Sequence, residues 1–219
     1  MDPTDAPEDA PPEAEHYFTV RPRSPHRRRE LRFLYRGEIL VFETDAGVFA
    51  SEQLDPGTSL LIEAMAPSAT DRILDIGCGW GPIGLAAAKA APQGHVVLTD
   101  VNRRAVLLAR GNARRNKIAN AEVRPGSLFD PVRDDAFDLI VTNPPYHAGR
   151  ELVLRLLSEA PAHLREGGRL LLVGKGSQGI QYYQRWLGEN WAAAEVEVLA
   201  RGSGYRVLEA RPRLANRHP

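Results

Sequence analysis

From Asp71 onward the chain alternates short apolar runs with helical segments, and this alternation constrains its fold more than any other feature. "RILDIG", "HVVLTD", "AEVRPG", "FDLIVTN" and "RLLLVG" read as strands. Helices are expected between or after them over residues 82–91, 102–117, 151–164 and 178–187, with Gly167-Gly168 ending the third. Strands separated by helices make a parallel, doubly wound sheet. The closing segment "AAEVEVLARGSGYRVLEARP" reads as a hairpin around Gly202-Ser203-Gly204, so one strand at that end runs antiparallel. The expected class is α/β: a doubly wound, mostly parallel seven-stranded sheet with a closing antiparallel hairpin and a small N-terminal β extension.

That extension covers residues 16–69, ahead of a main domain over 70–212 and a flexible end at 213–219. "EILVFETDAGVFAS" reads as two short strands around Asp45-Ala46-Gly47. "GTSLLIEAMA" reads as a helix with Thr58 as its cap. Residues 1–15 hold six Asp or Glu and no Lys or Arg, a net of −6, and are rich in proline, so a disordered tail is expected. Because the formal net charge of the chain is zero, residues 16–219 carry +6. Arg21, Arg23, Arg27, Arg28, Arg29, Arg32 and Arg36 fall within sixteen residues of that part. Two readings stay open: a solvated charged face, or contacts to nucleic-acid phosphates centred on Arg27, Arg28 and Arg29.

Cys78 is the single cysteine, so no intramolecular disulfide can form and no metal site is expected. No apolar run approaches the roughly 18 residues of a membrane span. The acidic, proline-rich start is unlike a signal peptide. A cytoplasmic protein without a membrane partner is expected.

In a doubly wound sheet the ligand sits beyond the carboxyl ends of the strands, at the topological switch point. The first such turn is "LDIGCGWGPIG", in which Gly79, Gly81 and Gly84 also fit the dinucleotide fingerprint. Two carboxylates shift the reading. Asp75 stands beside the loop, where it would repel a pyrophosphate and attract a cation. Asp100 closes the next strand, where it can accept hydrogen bonds from both hydroxyls of a ribose. A ribose-bearing ligand with a positive end and no pyrophosphate fits S-adenosylmethionine better than NAD. Gly77, Cys78, Gly79 and Gly81 are then the loop around it, with Cys78 a small filler rather than a nucleophile. Val101 and Asn102 follow the ribose carboxylate, Val101 covering one adenine face. "GSLFD" at 126–130 is expected beside the other face, with Leu128 or Phe129 over the ring and Ser127 near its amino edge.

"VTNPPYHAG" at 141–149 follows the fourth strand, across the switch point from the glycine loop. Its two prolines make the loop stiff and extended. An exocyclic amine conjugated with its ring is a poor nucleophile. Acceptors on both its N–H groups, the Asn143 side-chain oxygen and the Pro144 carbonyl, would favour a pyramidal nitrogen with its lone pair aimed at a methyl donor. Pro145 helps fix the direction of that carbonyl, and Tyr146 would stack on the flat base or amide. A base within a helix would have to be flipped out. His147 is either a solvated neutral histidine or a substrate contact, and Arg150 could meet a phosphate.

With these residues in place, the chain resembles the class I S-adenosylmethionine-dependent methyltransferases of the small-domain group. That group includes the bacterial ribosomal RNA guanine-N2 methyltransferases and compact single-domain archaeal relatives. The resemblance spans about residues 16–211: "HYF" at 16–18, "TDAGVFA" at 44–50, "LDPGTSLLIE" at 54–63, "DVNRRAV" at 100–106, "NPPYHAGRE" at 143–151 and "GYRVLEA" at 204–210. It implies that Asp75, Gly77 and Gly79 line the methionine part of the cofactor and that Asp100 holds its ribose. Leu128 and Phe129 would lie near adenine, Asn143 to Tyr146 would form the catalytic loop, and Phe49 would close over the cofactor. Ser127 stands where relatives often carry Asp. No second, degenerate methyltransferase-like domain of the larger ribosomal RNA enzymes is expected within 219 residues. The implied function is methylation of a guanine N2 in structured, ribosomal RNA. A tRNA or DNA base, a protein glutamine side chain, and a non-catalytic RNA- or cofactor-binding module are the alternatives.

Overall fold

The computed structural model describes residues 20, 22, 24–192 and 194–212. The acidic segment 1–15, "HYF" at 16–18, Arg21, Arg23 and the end at 213–219 lie outside the described residues.

The chain first forms an antiparallel pair, β1 (Arg29–Tyr35) and β2 (Glu38–Thr44). Arg36 (φ 50°) and Gly37 (φ 82°) make its turn. Two consecutive left-handed residues are what a tight hairpin needs to match strand twist. The expected hairpin around Asp45-Ala46-Gly47 is therefore displaced by one strand, and the 45–50 segment is a loop. Within the arginine-rich stretch, Leu31, Phe33 and Tyr35 alternate inward onto the core, an apolar period that the charges obscure. Helix α1 (Pro56–Ala64) follows. Its cap is Asp55 rather than Thr58: the Asp55 side chain accepts from the Thr58 N–H, and Pro56 fills the position that lacks a helical N–H bond.

The main sheet is then built from β3 (Arg72–Ile76), α2 (Pro82–Ala90), β4 (His95–Asp100), α3 (Arg103–Arg115), β5 (Ala121–Pro125), β6 (Phe137–Thr142), α4 (Arg150–Glu159), β7 (Leu164–Lys175), α5 (Ile180–Asn190), β8 (Glu195–Gly202) and β9 (Tyr205–Arg211). Its strand order is β5-β4-β3-β6-β7-β9-β8. Strands β5, β4, β3, β6 and β7 run parallel, while β9 is antiparallel to both neighbours. The chain moves outward from β3 to β5 and then returns to the other side of β3 at β6, so the switch point lies between β3 and β6. Alternate strand residues face opposite layers. Ile73, Val96, Leu139 and Leu171 pack with α1, α2 and α3. Leu74, Val97, Ile140 and Leu170 pack with α4 and α5.

One helix is shorter than its pattern suggests. The helix expected over 151–164 ends at Glu159, continues as a 3-10 turn at Ala160–His163, and gives way to β7 at Leu164. Pro161 has no N–H for the Leu157 carbonyl, which accepts instead from the Trp191 indole at 2.8 Å. Strand β7 then runs through Gly167-Gly168. The helix expected at 178 begins at Ile180, after a 3-10 turn at Gly176–Gln178.

Two asparagines one turn apart, Asn112 in α3 and Asn116 at its C-cap, join the hairpin to this sheet. Asn116 exchanges hydrogen bonds with the Val41 backbone, both at 2.8 Å. Asn112 does so with Glu43 at 2.7 and 2.9 Å and also donates to the Trp80 carbonyl at 2.9 Å. Their amides act as a surrogate strand edge. Asn112 is fully buried, so Asn112→Leu would leave three backbone groups unpaired. It should lower the unfolding free energy by about 3 kcal/mol in urea titration. A loss under about 1 kcal/mol would mean that the hairpin is not held this way.

Candidate active site

The glycine loop begins where β3 ends. Gly77 and Gly79 have φ of +71° and +56°, and a Cβ placed on either would meet no atom within 4 Å. Their bare backbone thus faces open space that any side chain would enter. Gly81 differs: a Cβ there would face Leu85 and Ala109, so this glycine serves the packing of α2 on α3.

A cleft opens between this loop and the segment after β6. Its lining includes Phe49, Gly77, Gly79, Asp100, Val101, Ser127, Leu128, Asn143, Pro144, Pro145 and His147. Val48, Thr99, Gln178 and the α4 residues Leu152, Val153 and Leu156, which no sequence motif marks, also line it. Leu128, which lines the cleft, holds a left-handed φ of 45°, a conformation unfavourable for leucine. A smaller adjoining pocket shares Phe49, Gly77, Gly79 and Asn143 and adds Thr58, Cys78 and Trp80. Asn143 therefore stands where the two spaces meet.

The loop that carries Phe49 is tied down by residues remote in sequence. Its backbone carbonyls accept from the Trp80 indole at Phe49 (3.1 Å), from Asn102 Nδ2 at Gly47 (2.8 Å) and from Arg104 at Ala46 (2.6 Å). Asn102 is buried as the cap of α3 and is absent from the cleft lining, so it holds the 45–50 loop rather than facing a ligand.

The carboxylates lie on either side of the loop. Asp100 Oδ2 accepts from Gly79 N–H and Oδ1 from Asn102 N–H, both at 2.8 Å. Burial raises its pKa. Asp75 is fully buried behind the loop rather than in the lining; its Oδ2 accepts from Gly84 N–H at 2.8 Å, and its Oδ1 has no partner. Burial, with a contribution from the Asp100 charge, outweighs the Gly84 bond and pushes the Asp75 carboxyl up to about 7. The Thr99 hydroxyl is also buried, with no partner among the described residues. Bare glycine backbone and two carboxyls with no ion-pair partner among the described residues suit a ribose-bearing cation such as S-adenosylmethionine.

The asparagine-proline segment has a more specific geometry than stiffness alone. Pro145 (ψ 78°) closes a tight turn in which Tyr146 N–H donates to the Pro144 carbonyl at 2.9 Å, which fixes the direction of that carbonyl. Both amide protons of Asn143 are used, towards Asp55 Oδ2 at 3.1 Å and Thr58 Oγ1 at 3.0 Å. Its Oδ1 remains as an acceptor. Tyr146 is anchored rather than free to swing over a ligand: its hydroxyl donates to Val173 O at 2.7 Å, and its ring leans on Tyr183 at 5.8 Å. A Cβ on Gly174 would lie 2.7 Å from Tyr146 Cζ, so glycine is required there to seat the ring.

Other expected contacts are placed elsewhere. Phe129 is buried, absent from the cleft lining, and stacks on His163 at 4.3 Å. Arg150 lies 4.8 Å over the Tyr182 ring. Arg28 and Arg29 pair with Glu43 and Glu52, each at 3.2 Å, which favours the solvated-face reading of the arginine cluster. Arg27 contributes its backbone N–H to Asp45. Among the described residues there is no group of metal-ligating side chains and no helix long and apolar enough to cross a membrane.

Residues 39–209 match the methyltransferase small domain family. The uncharacterized protein YbxB of Bacillus subtilis is 34% identical over 200 residues, covering 90% of this chain and 98% of that one. The ribosomal RNA small subunit methyltransferase C of Hamiltonella defensa is 32% identical over 180 residues. That match covers 80% of this chain and 52% of the relative, so the chain spans about half of that enzyme's length. Among solved structures, a T. thermophilus 16S rRNA guanine-N2 methyltransferase in complex with AdoMet and guanosine is similar with a TM-score of 0.74 and 28% identity. It covers 88% of this chain, which covers 52% of it.

Proposed function

Because the chain belongs to the methyltransferase small domain family and is an S-adenosylmethionine-dependent methyltransferase, we propose that it methylates the exocyclic N2 of a guanine in ribosomal RNA. The observation that carries this reading is a pair of acceptors on the segment after β6, on residues that both line the cleft. Asn143 Oδ1 has no competing donor among the described residues, and the Pro144 carbonyl is held by its turn. Two such acceptors suit an amine with two N–H groups.

S-adenosylmethionine supplies an electrophilic methyl on a cationic sulfur. Asp100 would hold the ribose hydroxyls, and Gly77 and Gly79 would admit the methionine part against bare backbone. Leu128 and Val101 would cover the adenine faces, and Phe49 would close the cleft. Asn143 Oδ1 and the Pro144 carbonyl would accept from the amine, turning its lone pair toward the methyl. The amine nitrogen would take the methyl as the S–CH3 bond breaks, leaving a neutral thioether, and the extra proton on nitrogen would then pass to solvent, so no strong base is needed. Support for a guanine in ribosomal RNA comes from the similarity to the ribosomal RNA small subunit methyltransferase C of Hamiltonella defensa and to the T. thermophilus guanine-N2 enzyme.

Incubating the protein with methyl-labelled S-adenosylmethionine and an unfractionated cell extract tests the substrate class. The label should disappear on RNase treatment and survive protease and DNase. Label that survives RNase but is lost to protease would point to a protein side-chain nitrogen and end the RNA reading. DNase-sensitive label would end it in favour of DNA, and no label in any fraction would favour a binding module.

A further inference from the structure

We propose that Asp55, held by Tyr205, is a positioning residue that decides which end of the Asn143 amide faces the reacting amine; this rests on the catalytic reading of Asn143.

Asp55 caps α1, where its Oδ2 accepts from Thr58 N–H at 2.9 Å and from Asn143 Nδ2 at 3.1 Å. Its other oxygen accepts from the Tyr205 hydroxyl at 2.7 Å. Burial first, and Asp55 second, raise the Tyr205 pKa, so that hydroxyl remains a donor. The Tyr205 ring is fixed in turn: it lies flush against Gly57, where a Cβ would collide with it, and the Lys175 ammonium sits 4.7 Å from its centroid. The network joins the cap of α1, the start of β9 and the loop after β6.

The two ends of an amide have nearly the same shape, so packing alone does not orient Asn143. Hydrogen-bond chemistry does. An ionised carboxylate only accepts, and the group facing it must therefore be the NH2. Inverting the amide would set Oδ1 against the Asp55 carboxylate. It would also aim two N–H donors at an incoming amine that itself presents N–H donors. Asp55 thereby makes Asn143 an acceptor on the cleft side, which is the one property methyl transfer to an amine needs from it.

Asp55→Ser separates this role from capping, because serine caps α1 but is too short to reach Asn143 or Tyr205. Asp55→Asn is the conservative variant: its carbonyl can take the place of Oδ2, and its NH2 can donate to the Tyr205 oxygen. Initial rates are read with labelled S-adenosylmethionine and saturating cell extract, and cofactor affinity by calorimetry. Asp55→Ser should lower the rate about 10- to 100-fold with cofactor Kd within about twofold of the wild type. Asp55→Asn should recover to within about threefold of the wild-type rate. In an Asn143→Ala background, Asp55→Ser should have no further effect, because the two residues act as one unit.

If Asp55→Ser stays within about twofold of wild type while Asn143→Ala is inactive, this inference fails and the catalytic reading stands. A further multiplicative loss in the Asn143→Ala background would also overturn it, since Asp55 would then act without Asn143. Full activity of Asn143→Ala would remove the catalytic reading itself.

Discussion

Asn143→Ala is expected to lower kcat by about 10²–10³-fold while leaving cofactor affinity within about twofold. The truncation removes one of the two acceptors that would orient the amine, leaving the glycine loop and Asp100 untouched. The loss belongs in kcat because the acceptor matters most as the nitrogen becomes pyramidal, not when the planar base first binds. The neighbouring turn should survive, since the Tyr146 N–H to Pro144 carbonyl bond does not involve Asn143. Single-turnover rates with pre-bound cofactor, set beside calorimetric Kd values, check both halves. A large rise in cofactor Kd with unchanged turnover would assign Asn143 to cofactor binding.

A second large effect is expected at Asp75. Its carboxyl has a folded-state pKa of about 7 against an ordinary value of 3.8, raised by burial and by the Asp100 charge. A raised carboxyl pKa means that the folded protein holds a proton which the unfolded chain releases earlier. The associated stability is complete below the ordinary pKa and is lost as pH rises through about 7. In the cofactor-free protein that loss is on the order of 4 kcal/mol across this window. Asp75→Asn cannot ionise and can still accept from Gly84 N–H. It should match the wild type near the low end of the window and be the more stable protein above pH 7 or so, as read by urea titration at several pH values.

Cofactor binding should show the opposite trend. A cation bound beside the loop lowers the Asp75 pKa, so binding releases a proton and affinity rises with pH up to about 7. Below that point it should fall about tenfold per pH unit. Asp75→Asn should bind S-adenosylmethionine more weakly and lose this slope; a residual slope at lower pH belongs to Asp100, whose carboxyl burial also raises. An identical pH profile in Asp75→Asn would remove Asp75 from the cofactor's electrostatic environment.

How much of this was legible in the sequence depends on distance along the chain. The glycine loop, Asp100 and the Asn143-Pro144-Pro145 run are local patterns. Strand–helix alternation fixes which ends of the strands they occupy, and the cleft gathers them at the switch point. The N-terminal hairpin lies one strand earlier than its pattern suggests, because the turn residues Arg36 and Gly37 sit inside a run of arginines whose charge obscures the inward period of Leu31, Phe33 and Tyr35. The position of Phe129 after β5 suggests a ligand contact, yet its ring is buried and stacks on His163.

Periodicity and local motif were enough to specify a doubly wound sheet and a cofactor loop facing an asparagine-proline loop, because both follow from residues within a few positions of one another. Orientation was not available from that source. Asp55 lies 88 residues from Asn143 and 150 from Tyr205 along the chain. Nothing local to "NPPY" says which end of a shape-symmetric amide faces the cleft. That choice belongs to the tertiary structure, because only folding brings an acceptor-only carboxylate against one side of the amide and leaves the oxygen on the other.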